Sequence, residues 1–194
     1  MLTTISELNS LNFEDFISKI GNVVEHCPVL AAALWKYRPF LSLEDLMNKM
    51  KEIIQSLPLS GTYQVKYIHT IHLKSITWIN FYLVQEGILR VHPDLAGRLA
   101  TNGQLTKESS SEQSQANLNQ LTPEEKATLA HLNDNYKSKF GFPFVICARL
   151  NKKEAIMVGL QRRLNHSSDI EVKNGIAEVL KICELRLKDI VKNC

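Results

Sequence analysis

Three helical patterns follow one another in the first sixty residues, and they constrain the fold more than any other feature of the sequence. In the first and third patterns, apolar residues recur every three or four positions, the spacing that places them on one face of an α-helix, whereas the second pattern is apolar on most sides and predicts a buried helix. Residues that favour helix starts precede the patterns, and glycine or proline follows them. The patterns extend from Asn12 to Gly21, from Pro28 to Pro39 and from Ser42 to Pro58. Three helices before residue 60 favour an all-α domain.

The C-terminal half of the chain continues in the same way. Thr122 and Pro123, with acidic residues directly after them, predict a capped helix with a proline in its first turn. Residues 154–164 predict a further short helix. Ser168-Asp169 is the predicted cap of a long last helix, whose apolar stripe continues almost to the C-terminus.

The length of 194 residues fits a single domain with a core of its own. Only residues 142–148 are apolar without a helical period. Pro143 and the lack of a partner strand predict an extended buried connection there rather than a strand. The predicted fold is therefore an all-α, single-domain bundle of several helices over residues 1–194.

Charge and cysteine content exclude several classes of protein. The formal net charge is +3 and the basic residues are dispersed, so nucleic acid is not an expected partner. The four cysteines lack Cys-x-x-Cys spacing, which predicts reduced thiols without a disulfide framework or a zinc site. No segment is apolar and charge-free enough to span a bilayer, and residues 1–10 lack the pattern of a secretory signal. We expect a soluble, cytosolic protein without a membrane partner.

Residues 62–85 differ from the rest of the chain. They contain no Asp or Glu, but three of the five tyrosines and one of the two tryptophans. Lys66 and Lys74 interrupt the segment, which argues against a membrane span. His69 and His72 form a His-x-x-His pair, but neither carboxylates nor cysteines lie nearby, so we expect no metal site.

The step His92-Pro93, followed by a polar stretch, is the best candidate for chemistry. A histidine exchanges protons near neutral pH, and a glutamate can hold and tune it. If residues 108–117 form a helix, Ser109, Glu112 and Gln113 lie at positions i, i+3 and i+4 and share one face. Such a face either grips a small polar ligand or is an ordinary solvated surface, the more frequent outcome for polar residues at this spacing.

Four segments in order along the chain resemble the OHCU decarboxylase family, the 2-oxo-4-hydroxy-4-carboxy-5-ureidoimidazoline decarboxylases of urate degradation. Each segment alone is a weak signal, whereas four in order are specific. The likeness begins near the predicted first helix, continues almost to the C-terminus and leaves out residues 62–85. The four segments are residues 92–97 (HPDLAG), 108–113 (ESSSEQ), 140–149 (FGFPFVICAR) and 183–187 (CELRL).

The resemblance implies an all-helical homodimer that needs no cofactor and converts a small-molecule ureidoimidazoline substrate to (S)-allantoin with release of carbon dioxide. Loss of the carboxylate leaves electron density that the oxo and imine groups of the substrate ring delocalise, so neither a metal nor a pyridoxal group is required. By the same similarity His92 is the proton donor, and Glu112 either orients its imidazole or contacts the ureido group. Arg186 would pair with a substrate anion through its planar fork. The implied substrate-binding positions are Pro93, Ser109, Gln113, Phe144, Val145, Ile146, Cys147, Ala148 and Arg186.

Residues 62–85 depart from the family pattern. In the family, the Leu-Pro-x-Ser-Gly end of the third helix leads almost directly into Glu-Gly-Ile-Leu-Arg, whereas here residues 57–61 and 86–90 flank the extra segment. We interpret it as a non-family insert, from read-through of non-coding sequence or from an alternative exon. The alternative to an active decarboxylase is a catalytically impaired helical dimer or ligand-binding module that retains the scaffold. The family is often peroxisomal, but residues 192–194 do not match Ser-Lys-Leu, so the expected location is cytoplasmic or peroxisomal.

Overall fold

The computed structural model describes residues 2–59 and 84–192, and these residues form ten α-helices, which confirms the all-α prediction. Two short 3-10 turns lie at Leu118–Gln120 and Ala148–Leu150. In the described ranges, β-pairing is limited to one isolated parallel bridge between Thr3 and Val191, and no helix is long and apolar enough to cross a bilayer. The helices are α1 (Ile5–Ser10), α2 (Phe13–Ile20), α3 (Pro28–Trp35), α4 (Leu43–Ser56), α5 (Gln85–Arg90), α6 (Arg98–Thr101), α7 (Lys107–Gln115), α8 (Pro123–Phe140), α9 (Lys153–Arg163) and α10 (Ser168–Ile190).

Local capping explains where several predicted helices begin. The side chains of Asn12, Ser42 and Thr122 each accept a hydrogen bond from the backbone N–H three residues further on, which satisfies a donor that the first helical turn leaves free. Thr122 forms a complete capping box with Glu125. The same helix, α8, ends at Gly141, whose left-handed backbone (φ 77°) suits glycine. The predicted starts of α2, α4 and α8 are confirmed.

The helices differ from the prediction at the start of α10 and in three short helices that were not predicted, α1, α5 and α6. Helix α10 begins with Ser168, and Ser167 is its N-cap, so the cap predicted at Ser168-Asp169 is wrong by one residue. Helix α1 is missing from the predicted helices, although Thr4 and Glu7 form a complete capping box at its start. Six residues are too short for an apolar stripe to repeat, so periodicity alone does not reveal this helix.

Helix α10 is the central element of the bundle, since it packs against α2, α4 and α5. Gly175 permits the close approach of α5, because a Cβ atom at this position would lie 2.8 Å from a methyl carbon of Leu89 in α5. His92 follows α5 after one intervening residue. The close packing of α5 on α10 therefore sets the position of His92. The described cysteines, Cys27, Cys147 and Cys183, are free thiols buried in the core.

Most of residues 62–85 lies outside the described ranges, including the histidine pair for which no metal site is expected. The last two residues of this segment belong to the fold, because Val84 is buried and Gln85 is the first residue of α5. The N–H of Gln85 donates to the carbonyl of Pro58 at 2.9 Å, and the N–H of Glu86 donates to the carbonyl of Leu59 at 3.1 Å. The two flanks of the undescribed residues therefore meet at the start of α5.

Candidate active site

One small cavity brings the predicted site residues together. Its volume is about 30 Å³, room for about one or two water molecules, so a heterocyclic ligand enters only after the lining side chains separate. The lining residues come from the segment after α5, from α7, from the irregular segment before the second 3-10 turn and from α10. They are His92, Pro93, Leu95, Ser109, Glu112, Gln113, Phe144, Val145, Ile146, Ala148, Ile182 and Arg186. Cys147 lies in the same segment but not in the lining.

The backbone holds the imidazole of His92. Its Nδ1 atom lies 2.8 Å from the carbonyl oxygen of Ile88, and because a carbonyl only accepts hydrogen bonds, Nδ1 carries the proton. The other nitrogen, Nε2, is buried and has no hydrogen-bond partner among the described residues. Burial of the ring lowers the pKa of His92 to about 4, against the opposing effect of the Ile88 bond. A neutral imidazole, whose Nε2 bonds none of the described residues, therefore lines the cavity.

Side chains from α7 and α8 hold the turn that follows His92. Ala96 has a left-handed backbone (φ 48°), and its N–H donates to Oε1 of Gln113 at 2.8 Å. Lys137 of α8 donates to the carboxylate of Asp94 at 2.7 Å. The side-chain carbonyl oxygen of Gln113 is thus bound to the turn, and its amide N–H groups are the donors that can bind a ligand.

Helix α7 presents one polar face to the interior. Its buried residues are Ser109, Glu112 and Gln113, which confirms that these three side chains share a face and excludes the alternative of a solvated surface. Both oxygens of Glu112 accept hydrogen bonds from Arg186, from Nε and from Nη2, each at 2.7 Å. Glu112 therefore does not orient the imidazole of His92, which the carbonyl of Ile88 holds instead. That part of the predicted role of Glu112 is wrong.

Glu25 is a member of this cluster that the sequence analysis missed. It lies in the loop between α2 and α3 with 0% of its surface exposed, and its Oε2 accepts from Nη1 of Arg186 at 2.7 Å. Burial works to raise the pKa of Glu25, but the charge of Arg186 and the hydrogen bonds from Thr106, Arg186 and Ser109 outweigh it and hold this pKa below its ordinary value. The available signal was a carboxylate between apolar residues, Val23 and Val24 on one side and Cys27 on the other.

A second buried network holds the irregular segment of the lining. Nη1 of Arg163 donates to the carbonyl of Val145 at 2.8 Å, and its Nε donates to Glu171 at 2.8 Å. The hydroxyl of Tyr136 also donates to Glu171, which is fully buried. Arg163 thereby connects α9 and α10 to the backbone beside the cavity. None of these three side chains was predicted from the sequence to belong to the site.

A larger cavity, of about 360 Å³, lies on the other side of the Glu112–Arg186 pair. Glu112 and Arg186 line both cavities, so the ion pair forms part of the wall between them. The larger cavity is open to charged surface side chains, among them Lys19, Lys107 and Arg149. In residues 2–59 and 84–192, no three side chains of His, Cys, Asp or Glu are grouped so as to hold a metal ion.

The profile of the OHCU decarboxylase family matches residues 9–188 of the chain. The chain belongs to the OHCU decarboxylase family. It is 44% identical over 189 residues to the 2-oxo-4-hydroxy-4-carboxy-5-ureidoimidazoline decarboxylase of Xenopus laevis, with 97% of this chain and 95% of that protein aligned. It is 46% identical over 186 residues to the protein of the same name from Amia calva, with 96% of this chain and 93% of that protein aligned.

Two solved structures share the fold of this OHCU decarboxylase family member. A crystal structure of (S)-allantoin synthase aligns with a TM-score of 0.66 and 22% identity, and the alignment covers 96% of this chain and 54% of that one. A crystal structure of OHCU decarboxylase in the presence of (S)-allantoin aligns with a TM-score of 0.60 and 20% identity, covering 87% of this chain and 94% of that one. These likenesses establish the helical architecture.

Proposed function

We propose that this chain decarboxylates 2-oxo-4-hydroxy-4-carboxy-5-ureidoimidazoline to (S)-allantoin in urate degradation. Membership of the OHCU decarboxylase family supports the reaction, and the family's crystal structure with (S)-allantoin supports the product. The observation that carries the proposal is the buried Nε2 of His92, which has no partner in the part of the chain that the structure describes and lies in a cavity lined by the polar face of α7. A proton-transfer group with a free nitrogen and a polar binding face is what this reaction requires.

The reaction follows from the substrate's own structure. The bond between C4 and the carboxyl carbon breaks, carbon dioxide leaves, and the electron pair forms a double bond from C4 to C5 while the imine nitrogen takes a proton. The 4-hydroxyl group of the resulting enol then loses its proton, and C5 gains one on a single face. One proton is taken up for each carbon dioxide released. The ring is the electron sink, so we propose that no cofactor takes part.

His92 suits the second half of the reaction, in which the enol loses the proton of its hydroxyl group and gains a proton at C5. Its neutral Nε2 accepts the proton of the enol hydroxyl, and the imidazolium then delivers a proton to C5. The bond from Nδ1 to Ile88 keeps the ring in one orientation through both transfers, since Nδ1 carries a proton in the neutral and the charged form. Delivery from one fixed position gives a single enantiomer.

The remaining lining residues are proposed to bind the substrate. Pro93 restricts the backbone beside the catalytic histidine, and the hydroxyl of Ser109 and the amide N–H groups of Gln113 meet polar edges of the ring. The backbone of residues 144–148, which lines the cavity except at Cys147, offers donors and acceptors to the ureido group. Glu112 contacts the substrate from the polar face of α7 while both of its oxygens hold Arg186.

The assembly and location remain proposals of their own. We propose a homodimer, as the family resemblance implies, which light scattering after size-exclusion chromatography tests through the molar mass. A cytoplasmic or peroxisomal location is tested by fractionation of cells that express the chain. A single domain over residues 1–194 with an insert at 62–85 is the proposed organisation.

Circular dichroism of the product tests the reaction. Freshly generated substrate decays spontaneously to a racemate, so only enzymatic turnover produces an optical signal. We expect a signal of one sign with the unaltered chain and a rate about 100-fold lower with His92→Gln. His131→Gln, which removes an exposed imidazole of α8, is the matched control and retains the rate. A rise in melting temperature with allantoin but no optical signal would instead favour the binding module.

A further inference from the structure

Every N–H group of the Arg186 guanidinium is already used within the protein. Nε and one N–H of Nη2 donate to Glu112, and Nη2 also lies 3.2 Å from the hydroxyl oxygen of Ser109. Nη1 donates to Glu25 at 2.7 Å and to the carbonyl of Asn22 at 2.9 Å. A guanidinium has five N–H donors. No donor of Arg186 is left for a ligand.

The side chain of Glu25 is held in place on both of its oxygens, so Glu25 stays bound to this arginine. Its side chain is 1% exposed, and its second oxygen, Oε1, accepts from the hydroxyl of Thr106 at 2.7 Å. Thr106 is itself the N-cap of α7, the helix that carries Ser109 and Glu112. Glu25 therefore ties the arginine of α10 to the start of the helix that lines the cavity.

The charges of the cluster do not balance. With both carboxylates ionised, as bidentate pairing with a guanidinium requires of Glu112, Glu25, Glu112 and Arg186 carry a formal charge of −1. Among the described residues that line the cavity, Arg186 is the only permanent cation, and His92 is neutral. Among residues 2–59 and 84–192, a substrate carboxylate in this cavity therefore meets no unpaired positive charge.

We infer that Glu25 is a positioning residue that withholds Arg186 from the substrate carboxylate, so that this carboxylate is bound without an ionic partner. The inference rests on the proposed decarboxylation, in which a charged carboxylate becomes neutral carbon dioxide. An ion pair with Arg186 would stabilise the bound substrate more than the transition state, because the carboxylate loses its charge on the way. Neutralising the arginine inside the protein removes this obstacle. It also replaces the role first expected for Arg186, direct pairing with the substrate anion.

The substitution Glu25→Gln tests the charge without removing the contacts. A glutamine has the same shape, and its amide can accept from Arg186 and donate to Thr106, but the surplus negative charge is gone. We expect the KM to fall together with kcat, each by about tenfold, the pattern produced when a ground-state penalty is removed. A merely structural role would raise the KM or leave it unchanged.

Binding of two stable ring compounds gives a second readout that does not need turnover. Orotate carries a carboxylate, and orotamide has an uncharged amide of the same shape, so their ratio of affinities reports the charge that the cavity prefers. In the unaltered chain we expect orotamide to bind more tightly than orotate, and allantoin to displace both. In Glu25→Gln we expect orotate to gain about tenfold, on the order of one screened unit charge, while orotamide changes by less than about twofold.

Glu108→Gln is the matched control. Glu108 lies on the same helix as Glu112, one turn away, but it is exposed and bonds only Asn22 among the described residues. The same change of charge there leaves the ratio of affinities unchanged. The inference is overturned if orotate binds the unaltered chain more tightly than orotamide, or if Glu25→Gln weakens both compounds alike. The comparison of orotate with orotamide uses the unaltered chain, so it tests the inference even if a variant does not fold. Absence of decarboxylation by the unaltered chain counts against the proposed function, and not against the inference.

Discussion

Replacing His92 with glutamine is expected to remove a large part of the pH dependence of stability. The pKa of His92 is about 4 in the folded chain, whereas its ordinary value is 6.5. Above pH 6.5 the imidazole is neutral in both states and its titration costs nothing. Between 6.5 and 4 the unfolded chain binds a proton that the folded chain refuses, so the free energy of unfolding falls as the pH falls.

The size of the effect follows from the two pKa values. Each pKa unit corresponds to about 1.36 kcal/mol, so the unaltered chain loses about 3 kcal/mol between neutral pH and pH 4, of which about 2 kcal/mol is lost by pH 5. His92→Gln does not titrate, and loss of the bond from Nδ1 to the carbonyl of Ile88 changes its stability by an amount that is independent of pH above the pKa of His92. The absolute stability of the variant is therefore not the test; the slope against pH is.

Urea denaturation followed by circular dichroism, at several values between pH 7.5 and 4.5, measures this slope. Other groups titrate in both proteins and cancel in the difference. We expect the unaltered chain to lose about 2 kcal/mol more than His92→Gln between neutral pH and pH 5. His131→Gln, at an exposed histidine, is the control for the loss of an imidazole. Parallel curves for His92→Gln over the whole range would refute the argument that burial keeps this imidazole neutral.

Three further predictions follow from the same structure. Because the acting imidazole is neutral, kcat/KM stays level from about pH 8 to about pH 5 and declines only towards a pKa of about 4; a midpoint near the ordinary histidine value contradicts this. Arg163→Met lowers the free energy of unfolding by about 3 kcal/mol because it removes the guanidinium that pairs with the buried carboxylate of Glu171. Arg162→Met, at the exposed neighbour, changes it by less than about 0.5 kcal/mol in the same urea titration. Deleting residues 60–83, which joins Leu59 to Val84, preserves the helical circular dichroism spectrum. The bonds from Gln85 to Pro58 and from Glu86 to Leu59 then have the i to i+3 spacing of turns. Loss of cooperative unfolding in the shortened chain contradicts this prediction.

Helix positions were predictable because their causes are local. The N-caps at Asn12, Ser42 and Thr122 are hydrogen bonds over three residues, so the sequence contains both partners within one turn. The start of α10 was less predictable because the side chain of its N-cap, Ser167, makes no capping hydrogen bond. The observed boundary differs from the predicted one by one residue. A short helix such as α1 has too few turns for apolar residues to repeat on one face, whereas a long helix shows this repeat clearly.

The polar face of α7 was also a local prediction, and its burial was not. Positions i, i+3 and i+4 place Ser109, Glu112 and Gln113 on one side of a helix wherever that helix lies. Whether this side faces water or the interior depends on what packs against it, and here Arg186 arrives from α10. A pattern of polar residues has no local property that distinguishes these outcomes.

The sequence by itself determined the helices, their caps and the shared face of the site, because each depends on residues within a few positions of one another. Tertiary structure alone decided which groups meet. Glu25 and Arg186 are 161 positions apart, and the pairing of a buried cation with two carboxylates depends on the packing of α10 against the N-terminal helices. The same packing buries His92 and leaves its Nε2 without a partner among the residues that the structure describes. The charge and protonation state of the site are therefore properties of the folded chain, since they depend on solvent exclusion and on distances that no sequence interval encodes.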